Sequence, residues 1–276
     1  MRWHRIGGLQ RRPESSVRSE QLLVNKDPLL LLHGVTMSAA AWDEVVPLLA
    51  DEFDLLVPTA AGHRGGPRIE GTATIEQLTD VTEQLLDERG VSTVHIAGNS
   101  LGGWIGIELA RRGRARSVCA LSPAGFWTPA TPDETTATNK LRRTKRLADV
   151  GHRITPPLLR SAVIRRLIMK DVAVHGDRLT RTQALGAVHD LVDCPAAYDI
   201  LSTDESVAPL PTLPCPITLA WSEKDRIFPP SVNGAIARER IPDARYTELP
   251  GVGHVPMIDD PALCAATIRT AVRTSG

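Results

Sequence analysis

The chain has 276 residues, 42% of them apolar, so it can bury the core of one large domain or two small ones without disulfide staples. Lys+Arg and Asp+Glu number 32 each, and the zero net charge excludes a whole-molecule attraction to nucleic acid. No apolar run is long enough to span a bilayer, the arginines near the N-terminus precede no apolar signal region, and Cys119, Cys194, Cys215 and Cys264 are scattered. These features predict a cytoplasmic protein with reduced cysteines and no metal.

Residues 1–27 carry little pattern, with short strands expected near Met1–Ile6 or Gln21–Asn25. The apolar run Pro28–Leu32 reads as a strand buried on both faces of a parallel sheet, and it ends at His33-Gly34. Ser38 is placed to cap a helix through Trp42 and Leu49. Phe53–Val57 is the next strand, followed by the glycine-rich loop Gly62-His63-Arg64-Gly65-Gly66. Thr74 starts an amphipathic helix with Leu78, Val81, Leu85 and Leu86 on one face.

Val94–Ala97 then predicts a strand, Gly98-Asn-Ser-Leu-Gly102 a sharp turn, and Ile105 and Leu109 a helix to about Arg112. Glycines at 98 and 102 let the backbone cross closely while Ser100 is exposed at the tip, the arrangement of a nucleophile elbow. A strand at Ser117–Leu121 follows.

The strand–helix alternation stops between 125 and 211. Helices are expected there at about 134–150, 157–170, 178–192 and 195–202. The alternation resumes with a strand at Ile217–Trp221, a helix at Ser231–Arg240, a strand at Ala244–Leu249 and a helix from Pro261 to Val272. The pattern predicts an α/β fold with a mostly parallel central sheet flanked by helices. Its core comprises residues 1–124 and 212–276, interrupted by a helical cap at 125–211.

Two further residues lie just after strands: Asp225 in Ser-Glu-Lys-Asp-Arg, and His254 in Gly-Val-Gly-His-Val-Pro. A serine hydroxyl needs a base to take its proton, and the imidazolium so formed needs a carboxylate. Ser100, Asp225 and His254 supply the three roles in the order Ser…Asp…His. With His33-Gly34 and the elbow, this order resembles the α/β-hydrolase fold superfamily over nearly all of Pro28 to the C-terminus except the cap. The resemblance implies a Ser-His-Asp triad and an oxyanion hole made by the backbone N–H groups of Val35 and Leu101. It implies no cofactor. Loop 59–66 departs from the family's usual Asp-x-x-Gly-His-Gly-x-Ser at Thr59, Arg64 and Gly66, and Ser222 stands where a glycine is common. His63 reads as structural.

The activity expected is hydrolysis of carboxylic esters or related acyl substrates. Ser100 argues against the epoxide hydrolases and haloalkane dehalogenases of this fold, whose nucleophile is an aspartate. C–C bond hydrolysis of ring-cleavage products, cofactor-free haloperoxidase chemistry and a non-catalytic ligand-binding role are the alternatives. Trp104, Phe126 and Trp127 are the pocket candidates, with Val255 and Met257, beside His254, as further ones. Residues 140–170 hold ten Lys/Arg and one acid, Asp149, so this segment is about +9 and the remainder about −9. The expected partner is a small ester-like substrate, partly apolar and compatible with an anion, and a homodimer is left open.

Overall fold

The computed structural model describes residues 26–128, 132–152 and 155–274, with no side-chain description for 132–137. The strands expected within residues 1–25 lie outside it. Six strands, β1 (Asp27–Leu32), β2 (Phe53–Leu56), β3 (Val94–Asn99), β4 (Ala115–Leu121), β5 (Ile217–Ser222) and β6 (Arg245–Leu249), form one sheet in the order β2-β1-β3-β4-β5-β6. Every pairing is parallel.

Parallel strands need crossovers, and here these place helices on both faces of the sheet. Leu30 and Leu32 of β1 therefore join one core, with Leu78, Leu86, Ile105 and Leu109. Leu29 and Leu31 join the opposite one, with Trp42, Leu49, Cys264 and Ile268. This two-sided burial explains why the run reads as continuous leucine instead of an alternation. The helices that precede β4 are α1 (Val46–Leu49), α2 (Ile75–Glu88) and α3 (Leu101–Arg111). Between β4 and β5 come α4 (Pro132–Gly151), α5 (Thr155–Leu158), α6 (Ala162–Met169), α7 (Arg181–Val192) and α8 (Ala197–Ile200). After β5 follow α9 (Ala235–Arg240), α10 (Pro256–Asp259) and α11 (Pro261–Arg273). No helix among the described residues is long and apolar enough to cross a membrane.

Thr74 caps α2 as expected, accepting from the N–H of Gln77 while the Gln77 side chain accepts from the Thr74 N–H. Ser38 does not cap a helix. Residues Ala39–Trp42 form a 3-10 turn separate from α1, and the Ser38 hydroxyl instead donates to Asp190 of α7 at 2.7 Å. The helix expected at 157–170 is two pieces, α5 and α6, broken at residues 159–161. The helix expected from Ser231 opens with a π turn, Pro230–Gly234, before α9.

The segment between β4 and β5 has many ties to the sheet layers, and three of them involve the loops after β2 and β6. Arg64 pairs with Asp190 at 2.5 Å. The Ala196 N–H donates to the Gly62 carbonyl at 3.1 Å, and a Cβ at Gly62 would press on Ala196. The third tie is Asp259, which is buried. Its carboxylate accepts from the N–H groups of Val174 (3.0 Å), His175 (2.6 Å) and Gly253 (2.7 Å). It therefore joins the turn after α6 to the loop that carries His254. Asp259→Ala leaves three inward-facing donors unpaired, and we expect urea unfolding to show a loss of about 3 kcal/mol. A loss below about 1 kcal/mol would contradict this role.

Candidate functional site

The elbow is built by close packing. β3 runs into α3 through Ser100, whose φ of 54° lies in the region that side chains rarely adopt. A Cβ on Gly98 would overlap the backbone of Gly102, and one on Gly102 would overlap the carbonyl of Leu32 in β1. The Ser100 N–H donates to Leu121 at 3.0 Å, and the Ser100 carbonyl accepts from Trp104 and Ala124. The turn is thus held from both sides while its hydroxyl stays out of the backbone network.

Asp225 and His254 come together although 29 residues separate them. The His254 Nδ1–H donates to Asp225 Oδ2 at 2.8 Å, with both side chains buried. The other carboxylate oxygen accepts from the N–H groups of Ile227 and Phe228, each at 2.8 Å. Three donors therefore fix the carboxylate, and the occupied Nδ1 leaves Nε2 as the free ring nitrogen. The Phe228 ring meets His254 edge-on at 5.1 Å. Asn99, next to Ser100, donates from Nδ2 to the His254 carbonyl at 2.9 Å and to Leu121 at 3.1 Å. This bond ties the elbow to the His254 loop. Among the described residues no hydrogen bond links Ser100 Oγ to His254 Nε2 directly; such bonds often tighten only around substrate.

His33 organises the loop after β1. Its Nε2 accepts from the Ala60 N–H at 2.9 Å, so Nδ1 carries the proton and donates to the Gly34 carbonyl at 2.8 Å. In a trans peptide the carbonyl and the following N–H point opposite ways. Holding the Gly34 carbonyl on one side therefore turns the Val35 N–H to the other. Gly34 faces Ser100, since a Cβ there would lie 3.3 Å from the Ser100 Cβ. Among the described residues neither the Val35 nor the Leu101 N–H donates to another backbone group. Burial, and then the neighbouring His63, push the His33 pKa down to about 3, which keeps it neutral. His63 is also lowered by burial, and its Nδ1 bonds the Ala61 carbonyl.

The departures in loop 59–66 have local partners. Thr59 accepts from the Ala39 N–H, Arg64 reaches Asp190, and a Cβ at Gly66 would overlap the Ala60 carbonyl. At Ser222 the backbone N–H donates to the Ser122 hydroxyl.

Trp104, Phe126, Trp127 and Val255 are all buried. Trp104 packs on Trp127 at 5.5 Å, Trp127 on Phe228 at 5.8 Å, and Phe126 on Trp221 at 6.2 Å. The tryptophan contacts thus run in sequence to His254 through Phe228. A cavity of about 350 Å³ opens instead beside the loop after β1, lined by Thr36, Met37, Arg64, Leu179, Asp190 and Met257 among others. Met37 Sδ would be 3.3 Å from a Gly34 Cβ, so the cavity wall adjoins the residue facing Ser100. Sequence reasoning assigns no role to Asn99, Met37, Phe228 or Asp259. Asn99 is visible inside the elbow motif, whereas the other three carry no motif signal. Among the described residues no cluster of His, Cys, Asp and Glu could hold a metal ion.

A model of the alpha/beta hydrolase family matches residues 29–267. The chain is 36% identical over 188 residues to the epoxide hydrolase EphH of Mycobacterium tuberculosis, covering 67% of this chain and 88% of that protein. It is 28% identical to a pimeloyl-[acyl-carrier protein] methyl ester esterase of Aromatoleum aromaticum, covering 91% of this chain and 100% of that one. The solved structure of a thermophilic esterase from Thermogutta terrifontis is similar with a TM-score of 0.67 at 26% identity, covering 91% of each chain. With the six-stranded parallel sheet already described, these matches show that the chain belongs to the alpha/beta hydrolase family and is a hydrolase.

Proposed function

We propose that the protein hydrolyses carboxylic esters through Ser100, His254 and Asp225 by way of an acyl-enzyme. The observation that carries this reading is the 2.8 Å Asp225–His254 bond, joined through Asn99 to a serine at positive φ. With Nδ1 engaged, His254 Nε2 takes the Ser100 proton as Oγ attacks the acyl carbon. The tetrahedral oxyanion lies against the Val35 and Leu101 N–H groups, the second of which opens α3 and adds the favourable end of its dipole. His254 returns the proton to the leaving alcohol. Water, deprotonated by the same ring, then attacks the acyl-enzyme and restores the Ser100 hydroxyl.

In this reading residues 125–211 act as the cap over a core of 1–124 and 212–276, and substrate reaches Ser100 from the cavity beside Met37. That cavity combines Met37, Leu179 and Met257 with Arg64 and Asp190, which suits a partly apolar ester.

Nucleophile chemistry separates this reading from the activity named for the mycobacterial relative. A serine that opened an epoxide would form an ether. That product has no carbonyl for water to attack, so turnover would stop. We therefore expect p-nitrophenyl esters to be cleaved and styrene oxide not to be consumed catalytically. A fluorophosphonate probe should label the wild-type protein and not Ser100→Ala. Labelling that persists in the folded variant, or sustained epoxide turnover, would overturn the proposal.

Asp225→Asn keeps the side-chain volume but removes the charge that supports the imidazolium. We expect kcat to fall by about 10³–10⁴-fold with KM little changed. His33→Ala frees the Gly34 carbonyl. Its effect should also fall on kcat, by about 10²–10³-fold if the Val35 N–H swings away from the oxyanion. A change confined to KM in either variant would assign it to substrate binding instead.

A further inference from the structure

Eight large apolar side chains are exposed among the described residues, and six of them lie between 147 and 168: Leu147, Val150, Leu158, Val163, Leu167 and Ile168. Val163 and Val150 are 76% and 86% exposed, well beyond the exposure of a packed helix face. No residue of α6 is buried. The same faces carry cations. On α6 and at its C-cap, Arg166 and Lys170 lie one turn after Val163 and Leu167, and on α4, Arg143 and Arg146 lie one turn before Leu147 and Val150. Arg143, Arg146, Arg160 and Lys170 are exposed or half-buried and, among the described residues, have no carboxylate within ion-pair distance. Lys145 and Arg165, by contrast, are used internally, Lys145 on Asp149 and Arg165 on the Leu159 carbonyl.

We propose that the outer face of α4, α5 and α6 docks on the surface of an anionic lipid bilayer. Exposed aliphatic groups interleaved with long cations suit the boundary between headgroups and acyl chains. There the aliphatic tips enter the apolar layer while arginine and lysine heads stay among phosphates. Charge supports the same occupant. Residues 140–170 carry about +9 within a neutral chain, and the cations left there without a carboxylate partner among the described residues suit a negative surface. A two-fold dimer through this face would set the same positive patch against itself, which disfavours a second copy. The chain that leaves α6 reaches the candidate site. Just past α6, the Val172 carbonyl accepts from the Val255 N–H at 2.8 Å, and Gly253 packs on Ala173. A docked cap would therefore be held beside His254. The inference goes beyond ester hydrolysis, because lipid binding is measured without any reaction.

The test is vesicle flotation of the full chain. It compares phosphatidylcholine vesicles with vesicles that also contain phosphatidylglycerol, at low and high salt, with light scattering to follow oligomeric state. We expect recovery with the anionic vesicles, release by salt, and little recovery with phosphatidylcholine alone. Arg143→Ser combined with Arg146→Ser should weaken partitioning by about thirtyfold. Leu167→Asp should weaken it by at least about tenfold. Circular dichroism checks that each variant is folded, and the wild-type preference for anionic vesicles decides the matter if one is not. Absence of binding to anionic vesicles would overturn the proposal, as would equal recovery with both vesicle types. A dimer dissolved by Leu167→Asp would also overturn it, assigning the face to a second copy.

Discussion

The close crossing of β3, α3 and β1 around Ser100 is the constraint on which the rest depends. Gly98 meets the backbone of Gly102, and Gly102 meets the carbonyl of Leu32, so two backbones pass where no side chain fits. That packing holds Ser100 at positive φ against its own preference, because the strain of one residue is small beside a core buried on both faces of the sheet. The same crossing places the loop after β1 beside the serine. Its His33, neutral and bonded on both ring nitrogens, then decides which way the next peptide faces. Backbone geometry at the elbow and side-chain chemistry at His33 thus converge on one point.

The groups that arrive from the far end of the chain are held with comparable redundancy. The Asp225 carboxylate accepts from two backbone N–H groups besides His254, and the His254 carbonyl is bonded by Asn99. Asp259 acts in the same way in the neighbouring turn, gathering the His254 loop and the turn after α6 around a single buried carboxylate. Each tie joins segments distant in sequence, so the site is a property of the assembled sheet edge. The exposed side of α4, α5 and α6 differs in kind. It is rich in apolar and cationic side chains with few internal partners, which is why it invites an external one.

Much of this was legible from residues alone. Alternating strand and helix patterns, glycines flanking a serine, and an acid and a histidine each just after a strand describe the sheet and the candidate nucleophile, acid and base. Those signals are local or short-range, and the strands' continuous apolar runs follow directly from burial on two faces. Ser38 shows the limit of such reading. It looks like a helix cap by its position before Trp42, but its hydroxyl has a stronger acceptor in Asp190, 152 residues away. The expected single helix at 157–170 likewise overlooks Pro156 and Pro157, after which the chain turns through residues 159–161 before α6.

The amino-acid sequence by itself determined the parallel α/β class, the elbow, and the order of serine, acid and histidine, because periodicity and turn chemistry act over a few residues. Only the tertiary structure decided that Asn99 reaches His254, that Asp259 gathers three N–H groups, and that Trp104 and Trp127 pack on one another. Those contacts join residues that no sequence spacing connects. It also decided that six aliphatic side chains between β4 and β5 face outward, because an apolar residue looks the same in sequence whether or not a neighbour arrives to cover it.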